Sequence, residues 1–274
     1  MSIAVRWKDS TVLITGASRG IGRSAARKAA ERGASVALIA RSRGDLDAVL
    51  AECGGRGIAI DADVGRRDDV ERAFQLAVDH LGPIDILVNC AGVGCAGAFA
   101  VEDLDRIDAV ICTNLLGVLY TTRAAVPSMT DRRRGHIVNV GSISGRVPVP
   151  MESVYSAAKF GVAGFTGALA VELEPYGVGV SLITPGPVDT GFDGGMGSTY
   201  VRRRPRPLRP DQVADAIIAA VERERFEQTL PRWLVASRFV ETLAPPLYRF
   251  GAKRAVRATA THERRSRPGA NDQR

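Results

Sequence analysis

Short apolar runs rich in Val and Ile recur along the chain and alternate with amphipathic stretches of helical period. The runs are almost continuously hydrophobic, which is typical of strands that are covered on both faces. They are predicted at Thr11 to Thr15, Ser35 to Ala40, Gly57 to Ile60, Ile84 to Asn89, His136 to Val140, Val178 to Thr184 and Gln228 to Pro231. Helices predicted at Ile21 to Arg32, Asp45 to Cys53 and Arg67 to Leu81 complete successive βα units. The expected fold class is α/β, a doubly wound parallel sheet flanked by helices on both faces.

Two longer helical patterns follow. Asp103 to about Met129 is one long helix or two abutting helices, and Ser153 to Pro175 is another. The second has small residues that would allow a partner helix to pack closely, at Ala157, Ala158, Gly161, Ala163, Gly164 and Gly167. Because no interior linker is visible, we expect one catalytic domain over 1–230, including a substrate loop at about 190–210. An extension over 231–262 and a disordered basic tail over 263–274 would follow.

Charge and cysteine usage limit the partners. The 37 Lys and Arg residues exceed the 30 Asp and Glu residues in a chain of 274, which favours anionic partners such as phosphorylated cofactors, acidic carriers or lipid headgroups. Aromatic residues make up 5% of the chain, so nucleic acid is not expected. The four cysteines form no C-x-x-C pair and suit free thiols in a reducing, cytoplasmic compartment. No signal peptide and no run of roughly 18 uncharged apolar residues is visible, and no metal site is expected.

A glycine-rich turn lies between the first predicted strand and the first helix. It reads Thr15-Gly16-Ala17-Ser18-Arg19-Gly20-Ile21-Gly22. Glycines in that position let backbone amides approach a pyrophosphate, which would make the domain Rossmann-like. Expected cofactor contacts are Gly16, Ser18, Arg19, Gly20, Ile21 and Gly22. The alternative is a simple tight turn.

The end of the second strand bears on the choice of cofactor. An NAD enzyme usually has an acidic residue there that accepts from the ribose 2′-hydroxyl, but Ala40 is followed here by Arg41. Arg41, helped by Arg19 and Ser42, would instead pair with the 2′-phosphate of NADP, since a guanidinium binds phosphate through two parallel hydrogen bonds. The alternative is that Arg41 is a charged residue of a surface loop and has no role in cofactor binding.

Other strand ends supply further candidates. Asp63 would accept from the adenine amino group and Val64 would pack on the ring, although Asp63 is also a candidate helix N-cap. Ala91 and Gly92 permit close approach of the backbone to the cofactor, and the neighbouring Asn89 is expected to be a structural hydrogen-bonding residue there. The turn after the sixth strand contains Pro185, Gly186, Val188 and Thr190, which would hold the nicotinamide. A plain strand exit is the alternative.

Tyr155 and Lys159 are four residues apart, on one face of a predicted helix. A phenol with a pKa of about 10 is a poor base at neutral pH, so a neighbouring cation that favours the phenolate is what proton transfer requires. Alone, such a pair is more often a surface contact. Ser142, just after the fifth strand, would polarise a carbonyl, with Ser144 an equal candidate in a Ser-Gly loop. Asn114 interrupts an apolar helix and would hold a water beside Lys159.

These residues resemble the short-chain dehydrogenase/reductase superfamily from Asp9 to about Glu222. The resemblance implies that Tyr155 is the general acid/base and that Lys159 lowers its pKa and holds the nicotinamide ribose. It also implies that Ser142 stabilises the substrate oxygen and that Asn114 supports a proton-relay water. Arg19 and Arg41 match the family's pattern for enzymes that prefer NADP(H). The expected activity is the interconversion of a carbonyl and a secondary alcohol, in a homodimer or homotetramer. A non-catalytic NADP-binding sensor or scaffold of the same fold is the alternative.

Two departures from the family pattern concern the substrate. Cys90 replaces the second Asn of the family's N-N-A-G segment, a mild change, and no Gly-x-x-x-x-Val-Asp-Gly-Gly ending follows Glu222. The missing ending argues against a ketoacyl-carrier substrate and in favour of a lipophilic alcohol or ketone. The Arg202 to Arg209 loop, in contrast, suits an anionic carrier. The apolar and basic segment after Pro231 is expected to dock on the domain or on a second subunit rather than on a membrane.

Overall fold

The computed structural model describes residues 5–190 and 206–254. Its sheet contains seven strands, all paired in parallel, in the order β3-β2-β1-β4-β5-β6-β7. The strands are β1 (Thr11–Thr15), β2 (Ser35–Ala40), β3 (Gly57–Asp61), β4 (Ile86–Asn89), β5 (Gly135–Val140), β6 (Val178–Pro185) and β7 (Glu227–Leu230). The predicted doubly wound α/β sheet is therefore confirmed.

Helices connect the strands and cover both faces of the sheet. They are α1 (Gly20–Glu31), α2 (Arg43–Glu52), α3 (Arg67–Leu81), α4 (Leu104–Ile111), α5 (Gly117–Asp131), α6 (Ser153–Leu173), α7 (Pro210–Glu222) and α8 (Val235–Leu243). A turn of π-helix, Cys112–Leu116, joins α4 to α5 without a break. The alternatives of one long helix or two abutting helices are thus both partly right. Residues 245–254 are also helical.

The two faces of the sheet build two separate cores. Val12 and Ile14 of β1 pack with α1 and α7, whereas Leu13 between them packs with α3 and α5 on the other face. Because successive side chains of a strand point to opposite faces, both sets must be apolar when both faces are covered. This explains why the strands read as continuous apolar runs.

β4 begins at Ile86, two positions later than its predicted start at Ile84. Asp85 comes directly before this first paired residue. The buried Asp85 carboxylate accepts hydrogen bonds from Arg132 Nη1 at 2.8 Å and Arg134 Nε at 3.0 Å. These bonds hold the end of α5 against the start of the sheet and compensate the burial of the acid.

Two helical stretches, Leu104–Asp131 and Ser153–Tyr176, have the length and hydropathy of a membrane-spanning helix. Both contribute side chains to the core beneath the sheet, among them Met129 and Leu169. Packing inside the domain uses part of this hydropathy, since 39% of the apolar window of the first stretch and 44% of that of the second are buried. The second stretch carries Tyr155, so its face toward the sheet serves the candidate site described below.

The C-terminal extension docks on the domain through a few residues. Leu234 and Tyr248 pack against Ile143 and Val147, beside the loop that follows β5. The Tyr248 hydroxyl also donates to the Pro148 carbonyl at 2.5 Å. Leu234 and Tyr248 are thus the side chains of the extension that contact this loop, whereas the predicted tail at 263–274 lies outside the described residues.

A buried histidine in β5 should make stability depend on pH. The His136 ring lies 2.8 Å from Ser181 Oγ and in the space that Gly179 leaves, and burial lowers its pKa from 6.5 to about 4. Between these pH values the unfolded chain binds a proton at His136 that the folded chain does not. The contribution of neutral His136 to the free energy of unfolding is therefore fully present above pH 6.5 and is lost as the pH falls toward 4. We expect a loss of roughly 3 kcal/mol over this window. Urea unfolding across the window measures it, and a His136→Gln variant with the same pH slope would contradict the assignment.

Candidate active site

A cleft of about 490 Å³ opens at the carboxyl ends of the strands. Residues that follow β1, β2, β3, β4, β5 and β6 all line it, and it includes the point between β1 and β4 where the strand order reverses. Ligands of doubly wound sheets bind at such a point. Most of the residues singled out in the sequence line this cleft: Gly16, Ser18, Arg19, Gly20, Ile21, Gly22, Arg41, Asp63, Val64, Ala91, Gly92, Ser142, Tyr155, Lys159, Pro185, Gly186, Val188 and Thr190.

The glycine turn has the shape that a phosphate cradle needs. Gly16 has a φ of +67°, and a Cβ there would lie 2.7 Å from the Ala91 Cα. At Gly22 a Cβ would lie 2.3 Å from the Gly16 carbonyl oxygen, so a side chain fits at neither position. No side chain caps the N-terminus of α1, and its first turn contains no acidic residue. The amides at this end of the helix therefore suit an anion such as a pyrophosphate.

Thr15 ties two strand ends together beneath the turn. Its hydroxyl oxygen accepts hydrogen bonds from the amides of Cys90 at 3.0 Å and Ala91 at 3.1 Å. These bonds hold the end of β4 against the end of β1 and so set the floor of the cleft. Sequence reasoning placed Thr15 in the turn motif without assigning it this contact.

Arg19 and Arg41 are exposed at the edge of the cleft. Within residues 5–190 and 206–254, neither forms an ion pair. Arg43 differs, because it pairs with Asp47 at 3.0 Å and with Asp61 at 3.8 Å. Two guanidinium groups at this edge are thus available to an anionic ligand.

Asp63 also lines the cleft, but it does not cap a helix. Its Oδ1 accepts from the amide of Gly65 at 2.9 Å, and α3 has Arg66 at its N-cap with no side-chain bond. The alternative role of N-cap is therefore wrong. The half-buried carboxylate keeps an oxygen with which it can accept from an amino group.

Tyr155 and Lys159 are both buried on α6, with the ammonium nitrogen 5.7 Å from the centre of the phenol ring. Lys159 Nζ donates to the Val140 carbonyl at 2.9 Å, which anchors it at the end of β5. Burial lowers the pKa of Lys159 to about 8, so the side chain is mostly cationic at neutral pH and loses its charge as pH rises. The buried ammonium therefore lies beside the buried phenol ring.

The structure separates the two serine candidates. Ser142 Oγ accepts from the Ser144 amide at 3.1 Å, which leaves the half-buried Ser142 hydroxyl its own proton to donate. Ser144 is fully buried, and its hydroxyl donates to the buried Glu152 carboxylate at 2.9 Å. Ser142 is therefore the serine suited to donate to a substrate oxygen, and Ser144 supports it.

Asn114 does not line the cleft, so its side chain cannot contact a ligand there directly. Its amide exchanges two hydrogen bonds of 2.8 Å with the N–H and carbonyl of Val93, a cleft residue. The side chain is fully buried within the π-helical turn. The Asn114 amide therefore holds Val93 in place, and this is the role that the structure shows for it.

Asn89 was expected among the residues around the cofactor, but its side chain lies behind the cleft. It donates to Asn139 Oδ1 at 2.9 Å and to Thr122 Oγ1 at 3.2 Å, and it accepts from Thr121 Oγ1 at 2.7 Å. Asn139 continues the network to Thr166 of α6 at 3.0 Å. The network joins α5 and α6 to the sheet, which agrees with the structural role expected for Asn89.

The turn after β6 is held from outside the cleft. Leu208 donates its amide to Pro187 at 2.8 Å and accepts from the amide of Asp189 at 2.9 Å. This pairing leaves the main-chain N–H and carbonyl of Val188 to the other side, where the residue lines the cleft. Of the expected loop at about 190–210, residues 191–205 lie outside the described residues.

Sequence reasoning missed several lining residues. They are Ile39, Ala40, Asp45, Ala62, Val93, Thr113, Val140, Gly141 and Glu152. Most are small or apolar, so no chemical pattern marks them. Glu152 could have been found from the sequence, because it is an acidic residue at the start of an apolar helix, three positions before Tyr155. In the part of the chain that is described, no group of His, Cys, Asp or Glu is placed to hold a metal ion.

The Ser144 and Glu152 contact should position Ser142. Removing the hydroxyl in Ser144→Ala deletes one buried hydrogen bond to a carboxylate, worth roughly 1.5–3 kcal/mol of stability, and loosens the turn that orients Ser142. We expect kcat for carbonyl reduction to fall about tenfold with the KM for the nicotinamide cofactor unchanged. Steady-state kinetics and thermal unfolding measure both effects. A Glu152→Gln variant, which keeps an acceptor oxygen, should retain more activity than Ser144→Ala, and the reverse order would contradict this role.

Comparison with known proteins points to one family. The family model described as short chain dehydrogenase matches residues 10–200. The ketoacyl reductase HetN of Nostoc sp. is 39% identical over 226 residues, covering 79% of this chain and 77% of that protein. A metagenomic short-chain oxidoreductase, solved in complex with NADP, is 32% identical with a TM-score of 0.71, covering 81% of this chain and 97% of that one. The 3-ketoacyl-(acyl-carrier-protein) reductase of Brucella melitensis, complexed with NADH, is 27% identical with a TM-score of 0.76 and coverages of 82% and 99%.

Proposed function

Because the chain belongs to the short-chain dehydrogenase family, we propose that its cleft binds NADP(H) and that Tyr155, Lys159 and Ser142 act on the substrate. The protein is an oxidoreductase that interconverts a carbonyl and an alcohol with a nicotinamide cofactor. The observation that carries the proposal is the joint presence in one cleft of these three side chains and a glycine cradle that excludes any Cβ. A non-catalytic scaffold would not need a buried ammonium beside a buried phenol.

The residues divide the work as follows. The bound cofactor supplies or accepts the hydride. In reduction, Ser142 donates a hydrogen bond to the carbonyl oxygen and Tyr155 transfers its phenolic proton to that oxygen. Lys159, anchored on Val140, stabilises the phenolate that remains, and Asn114 holds Val93 and the wall of the cleft in place.

The same geometry indicates which residues would bind the cofactor. The amides after Gly16 and at the start of α1 would take the pyrophosphate, and Asp63 with Val64 would take the adenine. Arg41 and Arg19 would pair with the 2′-phosphate, which is the reason to propose NADP(H) over NAD(H). Val188 and Thr190 would bind the nicotinamide amide.

For the substrate we propose a ketoacyl thioester. The supporting observations are that the similar proteins include ketoacyl reductases, such as those of Nostoc sp. and Brucella melitensis, and that Arg206 and Arg209 are exposed beside the turn after β6. A lipophilic alcohol or ketone is the second candidate, because the apolar extension reaches the cleft at Gly186, where a Cβ would lie 2.8 Å from Leu234 Cδ1.

A panel of carbonyl substrates tests the activity and the substrate class together. Acetoacetyl thioesters, steroid ketones and retinal are compared with NADPH, and the loss of its absorbance is recorded. We expect the thioester to have the highest kcat/KM. A higher value for a steroid or retinal would move the substrate to the lipophilic class, and NADPH binding without turnover of any carbonyl would favour a scaffold.

We also propose a cytoplasmic homodimer or homotetramer. All four cysteines are free thiols, which suits a reducing compartment. Gly164 and Gly167 of α6 have open space where a Cβ would be, which suits close approach of a partner helix. Light scattering coupled to gel filtration measures the oligomeric state.

A further inference from the structure

The C-terminal extension exposes an apolar surface that its docking does not use. The side chains involved, here called the apolar patch, are Trp233, Val235, Phe239, Val240, Leu243, Leu247 and Phe250. Phe239, Leu243 and Phe250 are 59%, 79% and 66% exposed. Scattered apolar side chains are normal on a surface, but a dense set in one short segment marks a site of interaction.

The orientation of α8 is the reverse of what a helix of a water-soluble domain shows. Val235, Phe239 and Leu243 are four positions apart and therefore share one face, and that face is exposed. Ser237 and Glu241, on the opposite side, are the more buried residues of the helix. No residue of α8 is fully buried. The helix thus turns its apolar face away from the domain.

The apolar patch is bordered by positive charge. Arg232, Arg249, Lys253 and Arg254 are exposed in the same segment, and so is Arg238, which also pairs with Glu227 at 3.7 Å. Glu241 is the single acidic residue among residues 232–254. The sequence that follows continues this bias, with five arginines against one Glu and one Asp in 255–274. Basic side chains around an apolar helix face are the combination that binds anionic lipid surfaces.

We propose that the apolar patch and its basic border bind the surface of an anionic membrane, with α8 lying in the lipid interface. A second copy of the chain is a poorer occupant, because a symmetric contact would bring the same basic residues against one another. Residues 255–274 are also a poor cover, since Val256 is their only large aliphatic or aromatic side chain. The lipid surface satisfies both the apolar and the basic features.

The proposed contact lies near the cleft. Leu234, which begins the docked part of the extension, packs against Ile143 next to Ser142 and reaches Gly186 in the cleft wall. Binding at the interface would therefore bring the candidate site close to the lipid surface. The inference itself does not depend on which carbonyl the enzyme reduces.

Sedimentation of the full-length protein with vesicles tests the proposal. Vesicles that contain phosphatidylglycerol are compared with vesicles of phosphatidylcholine alone, at low and high salt. We expect binding to the anionic vesicles only, weakened by salt, and reduced roughly fivefold for each basic residue replaced, for example in Arg249→Ala. In Phe239→Ser with Leu243→Ser, binding should fall roughly tenfold or more.

The matched control is Phe99→Ser with Leu104→Ser, because these side chains are 63% and 76% exposed but lie beside Glu102, Asp103 and Asp105. This control should bind vesicles as the unmodified protein does, and both double variants should keep their NADPH-dependent activity. Equal binding to both vesicle types, or undiminished binding of the Phe239 and Leu243 variant, would overturn the proposal. A dimer that this variant dissociates, without vesicle binding, would assign the patch to a second copy.

Discussion

Replacing Tyr155 by Phe should lower kcat/KM for carbonyl reduction by roughly 10²–10⁴-fold, because the variant has no proton to transfer to the substrate oxygen. The ring is buried against Val154 and Ala158, and Phe preserves that packing, so neither the fold nor cofactor affinity should change. Steady-state kinetics give the loss of activity, and fluorescence titration with NADPH gives the affinity.

Tyr176→Phe is the matched control for this experiment. Tyr176 lies in the turn after α6, is 47% exposed and does not line the cleft, so its hydroxyl should not affect turnover. If Tyr155→Phe kept more than a tenth of the activity, Tyr155 would not be the general acid. If it lost NADPH binding as well, the defect would lie in the cleft's structure and not in proton transfer.

Replacing Arg41 by Asp should reverse the cofactor preference. A charge-assisted pair with the 2′-phosphate is worth about 1.5–3 kcal/mol, so we expect the KM for NADPH to rise roughly 10–150-fold. The new carboxylate can accept from the 2′-hydroxyl of NADH, whose KM should stay constant or fall. Initial rates with the two cofactors at a fixed carbonyl concentration measure the ratio.

Arg43→Asp provides the comparison for Arg41. Arg43 is two positions after Arg41, at the first position of α2, but it already pairs with Asp47 and Asp61 and does not line the cleft. The charge change is the same in both variants, so a nonspecific electrostatic effect would appear in both. A similar shift for Arg43→Asp, or no shift for Arg41→Asp, would remove the basis for preferring NADP(H).

Local patterns were sufficient to predict the sheet and the elements around the site. The apolar runs and helical periods identify strands and helices because both depend on which faces are covered, and the glycine spacing identifies the turn because a side chain fits at neither Gly16 nor Gly22. The one-turn separation of Tyr155 and Lys159 likewise follows from helix geometry alone. The start of β4 was predicted two positions too early, because an apolar run shows that a strand is present but does not fix its first residue. The buried pairing of Asp85 with Arg132 and Arg134 is likewise not visible in the local pattern.

The sequence by itself determined the α/β class, the glycine turn and the residue types of the reacting centre, since each depends on neighbours along the chain. Only the tertiary structure showed that Ser144 donates to Glu152, that Asn114 binds Val93 and that Glu152 lines the cleft, because those contacts join separate parts of the chain. It also decided which side of α8 meets solvent. An amphipathic pattern states that a helix has an apolar face, but what that face contacts depends on the packing of the whole chain.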